Sequence, residues 1–505
     1  MGGFMTGFMS ALLVCLQPMH LLLIFVCAVV GIIFGAIPGL SGGLGMTLLL
    51  PLTFGMDLTT GFCMLLGMYV GGISGSFIAA VLVGIPGSAS SIATCFDGYP
   101  MSQKGQTSRA LGLGIIGSFI GTFFSVLIAC CLSGPIADLA LKLGPWEYFS
   151  LCFLAVTLVA ALSKGSTAKG LLSAGVGLLA ASVGMDPVTA STRFTFGNVN
   201  LQGGISMVAA MLGVYALQQV ASDYAHGSQK MPEITAAGLK SEGVRLSDFT
   251  QNMRVIIQSF LIGVWIGFLP GMGSGLSNLV AYATAKSSSK HPEEFGTGIP
   301  AGVLASEVAN NASIGGALIP MISLGIPGDA PTALLLAGLI IHGLQPGPLL
   351  FSSNPDIVYL IFACVLLGAV LVLVFELLTQ RWFSYLLKAP YHYLYSAILL
   401  MCFVGAYTAS NSMLNVWFMV FFGVVGLMFE AAKVPVSPMI LAFILEGNLE
   451  SYFRKGMSYS NNGALAFITR PISLIFLLIA VISVAWPYIK PLFKGKKKAE
   501  QPAQQ

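Results

Sequence analysis

Charge is what this sequence has least of. Asp, Glu, Lys and Arg together make up 8% of its 505 residues, where a soluble domain carries about 25%. No Lys or Arg occurs before Lys104, so the basic n-region of a cleaved signal peptide is missing and the first apolar helix is expected to stay as a span. The nine cysteines form no CxxC pair, which argues against a zinc or dithiol motif and for buried, inert thiols. The five histidines, His20, His226, His291, His342 and His392, have no metal-ligand spacing. No Walker A motif is present, so the chain does not itself hydrolyse ATP. Gly39-Leu-Ser-Gly-Gly43 fits the G-x-S-x-G pattern, but an apolar helix precedes it where a nucleophile elbow needs a strand, and no His partner is evident. An enzyme is therefore not expected.

What the sequence has is apolar residues, at 56%, with 60 glycines and a mean hydropathy of +0.87. This is the composition of an all-α integral membrane protein. Segments such as Leu21 to Ile37 are long enough to cross about 30 Å of hydrocarbon. Roughly a dozen passages are expected, some of them broken or re-entrant helices. The tail Lys494-Gly-Lys-Lys-Lys498 reads as a solvated topology signal and not as a nucleic-acid patch.

The chain also repeats itself. Glycines recur every fourth residue at Gly31, Gly35, Gly39 and Gly43, and again at Gly263, Gly267, Gly271 and Gly275, with Pro38 and Pro270 before the third of each set. Val83-Gly-Ile-Pro-Gly87 returns as Leu324-Gly-Ile-Pro-Gly328. Each copy is an apolar helix that breaks at Pro-Gly, a second passage, and a second break at Gly-Ile-Pro-Gly. The expected division is a first membrane repeat at 1–221, a hydrophilic linker at 222–254, a second repeat at 255–489 and a basic polar tail at 490–505. In copy one, basic residues follow the second break (Lys104, Arg109); in copy two they follow the first (Lys286, Lys290). Because basic loops favour the cytoplasm, equivalent positions face opposite sides, the mark of an inverted-topology repeat.

A Pro-Gly break frees backbone groups and, where the helix restarts, aims N–H groups and the positive dipole end outward. Such ends bind anions. The residues at and beside the breaks are Gly39, Ser41, Gly42, Gly43, Gly87, Ser88 and Ser90 in copy one, and Gly271, Ser274, Asn278 and Gly328 in copy two. They are the expected substrate-binding set. Ser88 and Asp329, each one residue after Pro-Gly, would equally serve as helix N-caps. Ser306, Asn310 and Ser313 lie on one helical face, with Glu307 and Asn311 beside them. So dense a polar stripe in a membrane passage marks a cavity, an ion pathway or a helix–helix seam. Asn310, Asn311, Asp329 and Thr332 offer oxygen ligands for a coupling cation, Na+ or H+; no other metal or cofactor is expected. Glu376 and Glu430, near the ends of apolar runs, are expected at the membrane interface.

The chain resembles the large membrane subunit of the tripartite tricarboxylate transporters, the TctA family. The motifs that carry the likeness are Gly35-Ala-Ile-Pro-Gly-Leu40, Leu49-Leu-Pro-Leu-Thr-Phe-Gly-Met-Asp57, Ile85-Pro-Gly-Ser88, Asp97-Gly-Tyr-Pro-Met101, Leu269-Pro-Gly-Met-Gly273, Ser306-Glu-Val-Ala-Asn-Asn-Ala312, Leu324-Gly-Ile-Pro-Gly328 and His342-Gly-Leu-Gln-Pro-Gly-Pro-Leu-Leu-Phe351. The resemblance implies a secondary importer of di- and tricarboxylates in a bacterial inner membrane, driven by sodium or protons. It also implies a small membrane subunit and a periplasmic solute-binding protein as partners, and leaves room for a homo-oligomer. Where the family commonly has Ser or Thr after Ile-Pro-Gly, copy two has Asp329, which suits a cation better than an anion. A passive organic-anion channel is the alternative that the same helix-end chemistry would support.

Overall fold

Glycine and proline set where the helices of this chain stop. The computed structural model describes residues 2–163, 166–186, 189–226, 243–386, 391–460 and 463–498. They are almost entirely helical; the one strand pair among them joins Gly184–Met185 to Thr192–Arg193. The centre of the expected linker, 227–242, and the tail beyond 498 lie outside the described residues, while the last helix, Pro471–Lys498, runs on through the terminal lysines.

In the first half, α1 (Pro18–Ala36) ends at the Pro38-Gly39 break and α2 (Gly42–Leu49) restarts after it. Helix α3 (Leu58–Ser74) is continued by a short helix at Phe77–Val83 that ends at Gly84, and α4 (Thr94–Gln103) leads to the long α5 (Thr107–Ala140). In the second half, α6 (Met253–Phe268) and α7 (Gly273–Ser288) flank the Pro270-Gly271 break. Helix α8 (Pro300–Leu324) ends at Gly325, and α9 (Ala330–Ile341) and α10 (Pro355–Thr379) follow. Six helices among the described residues are long and apolar enough to span a membrane, seven if the bent pair Gly463–Thr469 and Pro471–Trp486 counts as one. That is about half the expected number of passages. The difference lies in shorter apolar helices, such as Thr167–Ala181, α6 and Tyr391–Thr408, which the sequence reading counted as passages.

The same contacts recur in the two halves. Helix α1 lies so close to α3 that a Cβ on Gly35 would fall 2.3 Å from the carbonyl oxygen of Gly72; one on Gly267 of α6 would fall 2.4 Å from that of Ser313 on α8. Gly84 and Gly325 both take a left-handed conformation, at φ 71° and 72°. A Cβ on Gly87 would meet Gly35 O at 2.1 Å, and one on Gly328 would meet Gly267 O at 2.5 Å. The partners then cross: α3 packs on α10, and α8 packs on α5.

The chain forms two compact units, and each draws on both sequence halves: Met1–Ala140 with Ser206–Leu427, and Leu141–Ile205 with Met428–Gln505. The breaks all belong to the first. In the second, the helices Pro145–Leu162, Thr167–Ala181, Ser437–Ser458 and Pro471–Lys498 pack together. There Arg193 holds Glu450 through two 2.9 Å bonds, and Arg454 holds Asp186 at 2.8 Å.

Two tethers join distant parts of the first unit. Arg109, at the start of α5, pairs with Asp248 of the linker's end. Burial pushes the Asp248 carboxyl up, but the Arg109 guanidinium together with the backbone N–H and charge of Arg245 outweighs it and holds the group below its ordinary range. That contribution is present at neutral pH and is lost as pH falls below about 4. Asp97 of α4 is the second tether. Its Oδ1 accepts from the backbone N–H groups of Gly296 (3.0 Å), Gly298 (2.7 Å) and Ile299 (3.0 Å), and its Oδ2 accepts from the Tyr282 hydroxyl (2.8 Å). A carboxylate of the first half thus holds the loop that launches α8. Asp97→Ala would orphan these donors at about 1–3 kcal/mol each where they stay dry. We expect a clear fall in the melting temperature of the detergent-extracted protein, with Asp97→Asn, which keeps an acceptor, in between. An unchanged melting temperature for Asp97→Ala would remove the tether from the account.

Candidate functional site

The restarts after all four breaks meet around one cavity of about 260 Å³. Ser41, Gly42 and Gly43 bring the start of α2, Ser274 and Gly275 the start of α7, and Ala330 and Pro331 the start of α9; Ser88, Ala89 and Ser90 bring the short turn after the second break of copy one. Tyr69, Gly72 and Ile73 of α3 complete the wall with Tyr215, Gln218 and Gln219. The lining holds no Asp, Glu, Lys, Arg or His. What it offers is N–H groups at helix starts, hydroxyls and amides, a set that suits an anion without a fixed basic partner. A larger groove of about 580 Å³ between α5 and α6 is lined by Ile120, Phe124, Met253, Phe260 and other apolar residues. It has nothing with which to recognise a charged ligand.

The expected substrate set divides into lining and support. Ser41, Gly42, Gly43, Ser88, Ser90 and Ser274 line the cavity. Gly39 and Gly271 make the turns before it, at φ 88° and 72°. Gly87 and Gly328 seat the second breaks against the carbonyls of Gly35 and Gly267. Asn278 stands behind the wall. Its Oδ1 accepts from Ala93 N at 3.2 Å and its Nδ2 donates to Ala89 O at 3.1 Å and Ser274 O at 2.8 Å, bracing α7 against the segment of the other half. Several caps are already occupied: Ser41 Oγ accepts from Leu44 N and Ser88 Oγ from Ser90 N.

Asp329 caps α9 and so sits where the helix dipole favours a negative charge. Its Oδ1 accepts from Thr332 N (2.8 Å) and Thr332 Oγ1 (2.6 Å), and its Oδ2 accepts from the hydroxyl of Tyr69 (3.2 Å), which itself lines the cavity. Asn310 and Asn311 are elsewhere, one turn along α8 from Glu307. That carboxylate is fully buried at the eighth residue of a 25-residue helix. Thr94 Oγ1 donates to its Oε1; Ser118 Oγ (3.3 Å), Asn310 Nδ2 (3.3 Å) and Asn311 Nδ2 (3.5 Å) donate to its Oε2. No cationic side chain pairs with it among the described residues. The start of α4 at Thr94 offsets part of the charge, at about 0.3–2 kcal/mol, against several kcal/mol for desolvating an ion.

Sequence reasoning missed several of these residues. Tyr215, Gln218 and Gln219 come from a π-helical segment, Leu212–Leu217, and the helix after it. Two adjacent glutamines in the apolar stretch Ile205 to Val220, which reads as a span, were the available signal, and π-turns often accompany functional sites. Glu376 corrects an expectation: it is not at the interface but fully buried on α10, where Ser74 Oγ donates to its Oε2 at 3.1 Å and its Oε1 has no partner. It is held inside because α10 packs on α3.

A family model described as the tripartite tricarboxylate transporter TctA family matches residues 21–441. An Agrobacterium vitis protein described as an uncharacterized 52.8 kDa protein in the TAR-I ttuC' 3' region is 33% identical over 479 residues, 95% of this chain and 94% of the relative. A second from the same organism, described as an uncharacterized protein in the TAR-II ttuC' 3' region, is 33% identical over 232 residues, 45% of this chain and 96% of the relative. No solved structure matches the chain.

The approach of Gly87 and Gly328 to backbone carbonyls leaves no room for even a methyl group. Overpacking of this kind costs about 1–3 kcal/mol or more. Gly87→Val and Gly328→Val should each lower the melting temperature of the extracted protein markedly, while insertion persists because hydropathy hardly changes. Wild-type melting for both would show that the breaks tolerate a side chain and that the contact is not tight.

Proposed function

Since the chain belongs to the tripartite tricarboxylate transporter TctA family, we propose that it is the large permease subunit that carries di- and tricarboxylates or related organic acids across a bacterial inner membrane. Uptake is driven by a sodium or proton gradient, a periplasmic solute-binding protein delivers the substrate, and a small membrane subunit is the third component. The observation that carries this reading is the convergence of the four restarts on one cavity without a charged side chain. Binding energy for a carboxylate then comes from preorganised dipoles and hydroxyls, which hold an anion without trapping it against a fixed cation. A carrier must release what it binds, and such a site suits that need.

Alternating access fits the matched contacts of the two halves. In an inverted repeat, the substrate site lies where the broken helices of both copies meet, and one repeat rocks against the other around it. Lys104, Lys286 and the terminal lysines would then share the cytoplasmic side. Cysteines placed at 104 and 286 in a cysteine-free background should both be labelled by an impermeant maleimide only from the cytoplasmic face. Labelling from opposite faces would sink the inverted repeat.

Gly43 and Gly275 line the cavity, and a Cβ on either would meet nothing closer than 3.5 Å. Gly43→Leu and Gly275→Leu should therefore fill the cavity without disturbing the backbone. With the partner subunits co-expressed, we expect concentrative uptake of radiolabelled citrate or succinate to be collapsed by an ionophore. Each Leu variant should lower it at least about tenfold, the equivalent of 1.4 kcal/mol, at wild-type melting temperature. Uptake that an ionophore leaves unchanged would point to a passive channel. Full uptake by both Leu variants would place the substrate path elsewhere.

A further inference from the structure

We infer that Glu307 and Asn310 of α8, with the hydroxyls of Thr94 and Ser306, form a sodium-binding site separate from the organic-anion cavity. Glu307 is a fully buried carboxylate in the middle of a helix, and its hydrogen-bond partners, Thr94, Ser118, Asn310 and Asn311, are all neutral. A hydrogen-bond seam between α5 and α8 explains part of this cluster. Asn311 uses both ends of its amide, with Nδ2 to Ser118 Oγ at 2.9 Å and Oδ1 accepting from Thr122 at 3.3 Å. The seam does not explain Asn310. That amide gives its Nδ2 to Glu307, while its Oδ1, fully buried, has no partner at all. An orphaned oxygen beside an uncompensated carboxylate is what a bound cation satisfies: with an ion present, the amide turns over and both groups share it.

The donor set selects the ion. Thr94 Oγ1 bonds to Glu307 Oε1 and lies 2.9 Å from Ser306 Oγ, so a second hydroxyl oxygen stands beside the one that touches the carboxylate. Ser306 spends its proton on the carbonyls of Gly302 and Val303, which leaves its lone pairs free to face an ion. An all-oxygen set suits a hard cation. One carboxylate balances one positive charge, so a monovalent ion leaves the membrane interior neutral where a divalent ion would not. Asp329 differs, because its charge lies at the start of α9 and both of its oxygens are used in the cap and by Tyr69. Thr94 also follows the Ser88–Ser90 wall of the cavity by a few residues, so ion occupancy would order the segment that the substrate touches. The consequence for transport rests on the carrier reading, and by linkage the coupling would be reciprocal.

The test is equilibrium binding of ²²Na⁺ to the purified full-length protein without any organic anion. Saturable binding is expected for the wild type. Glu307→Gln, which removes the only negative ligand, should weaken it by roughly tenfold or more, and Asn310→Ala should weaken it several-fold, while Glu430→Gln, a change on an exposed face, leaves it unchanged. Should Glu307→Gln fail to fold, Asn310→Ala and Ser306→Ala decide the matter. No saturable binding by the wild type, or wild-type affinity in these variants, overturns the site. Citrate uptake that persists while sodium binding ignores Glu307 and Asn310 removes the site and leaves the carrier. Sodium binding lost in Glu307→Gln with no carboxylate uptake in the wild type removes the carrier and leaves the site.

Discussion

A backbone amide without a partner costs several kcal/mol in hydrocarbon, and this chain breaks its helices inside one. Much of the first unit answers that constraint. The freed ends after Ile37 and Phe268 are tightened by turns at Gly39 and Gly271, and Ser41 caps the first restart, whereas α7 begins without a side-chain cap. The second breaks are pressed against the carbonyl oxygens of Gly35 and Gly267, at separations that exclude a Cβ. Asn278 braces one restart against the other half, and Asp97 holds the loop before α8. The restarts that follow the breaks meet around one cavity.

The placement of charge follows from the same scarcity. Ion pairs lie where water or a partner is at hand, as with Arg109 and Asp248, or Arg193 and Glu450. The cavity carries no charged side chain, so the anion binding we propose for it rests on dipoles and hydroxyls. Two buried carboxylates, Glu307 and Glu376, stand without cationic partners among the described residues; Asn310 Oδ1 is orphaned next to the first, and Oε1 of the second is itself unpaired. Such groups are costly in a membrane interior, which is why the sodium site we infer is built on Glu307.

The helical membrane class and the positions of the breaks were legible in the residues. Glycines at every fourth position and the doubled Gly-Ile-Pro-Gly announced the breaks, because only such residues permit both the turn and the close approach. Six of the eleven residues singled out beside the breaks line the cavity. What could not be read were contacts across long separations. Asn278 meets Ala89, 189 residues away, and Asp97 meets Gly298, 201 away; nothing local in either sequence specifies the partner. Glu376 was misplaced because hydropathy sees the end of an apolar run and not the helix that covers it. The number of passages was blurred by half-helices, whose apolar length resembles that of a short span.

The account depends most on the four restarts serving one ligand. Single cysteines at Ser41, Ser88, Ser274 and Ala330 in a cysteine-free background would report this through maleimide labelling in the presence of increasing citrate or succinate. Protection at all four positions with one common concentration dependence is the result the account predicts. Protection confined to the positions of one half, or different midpoints in the two halves, would contradict it.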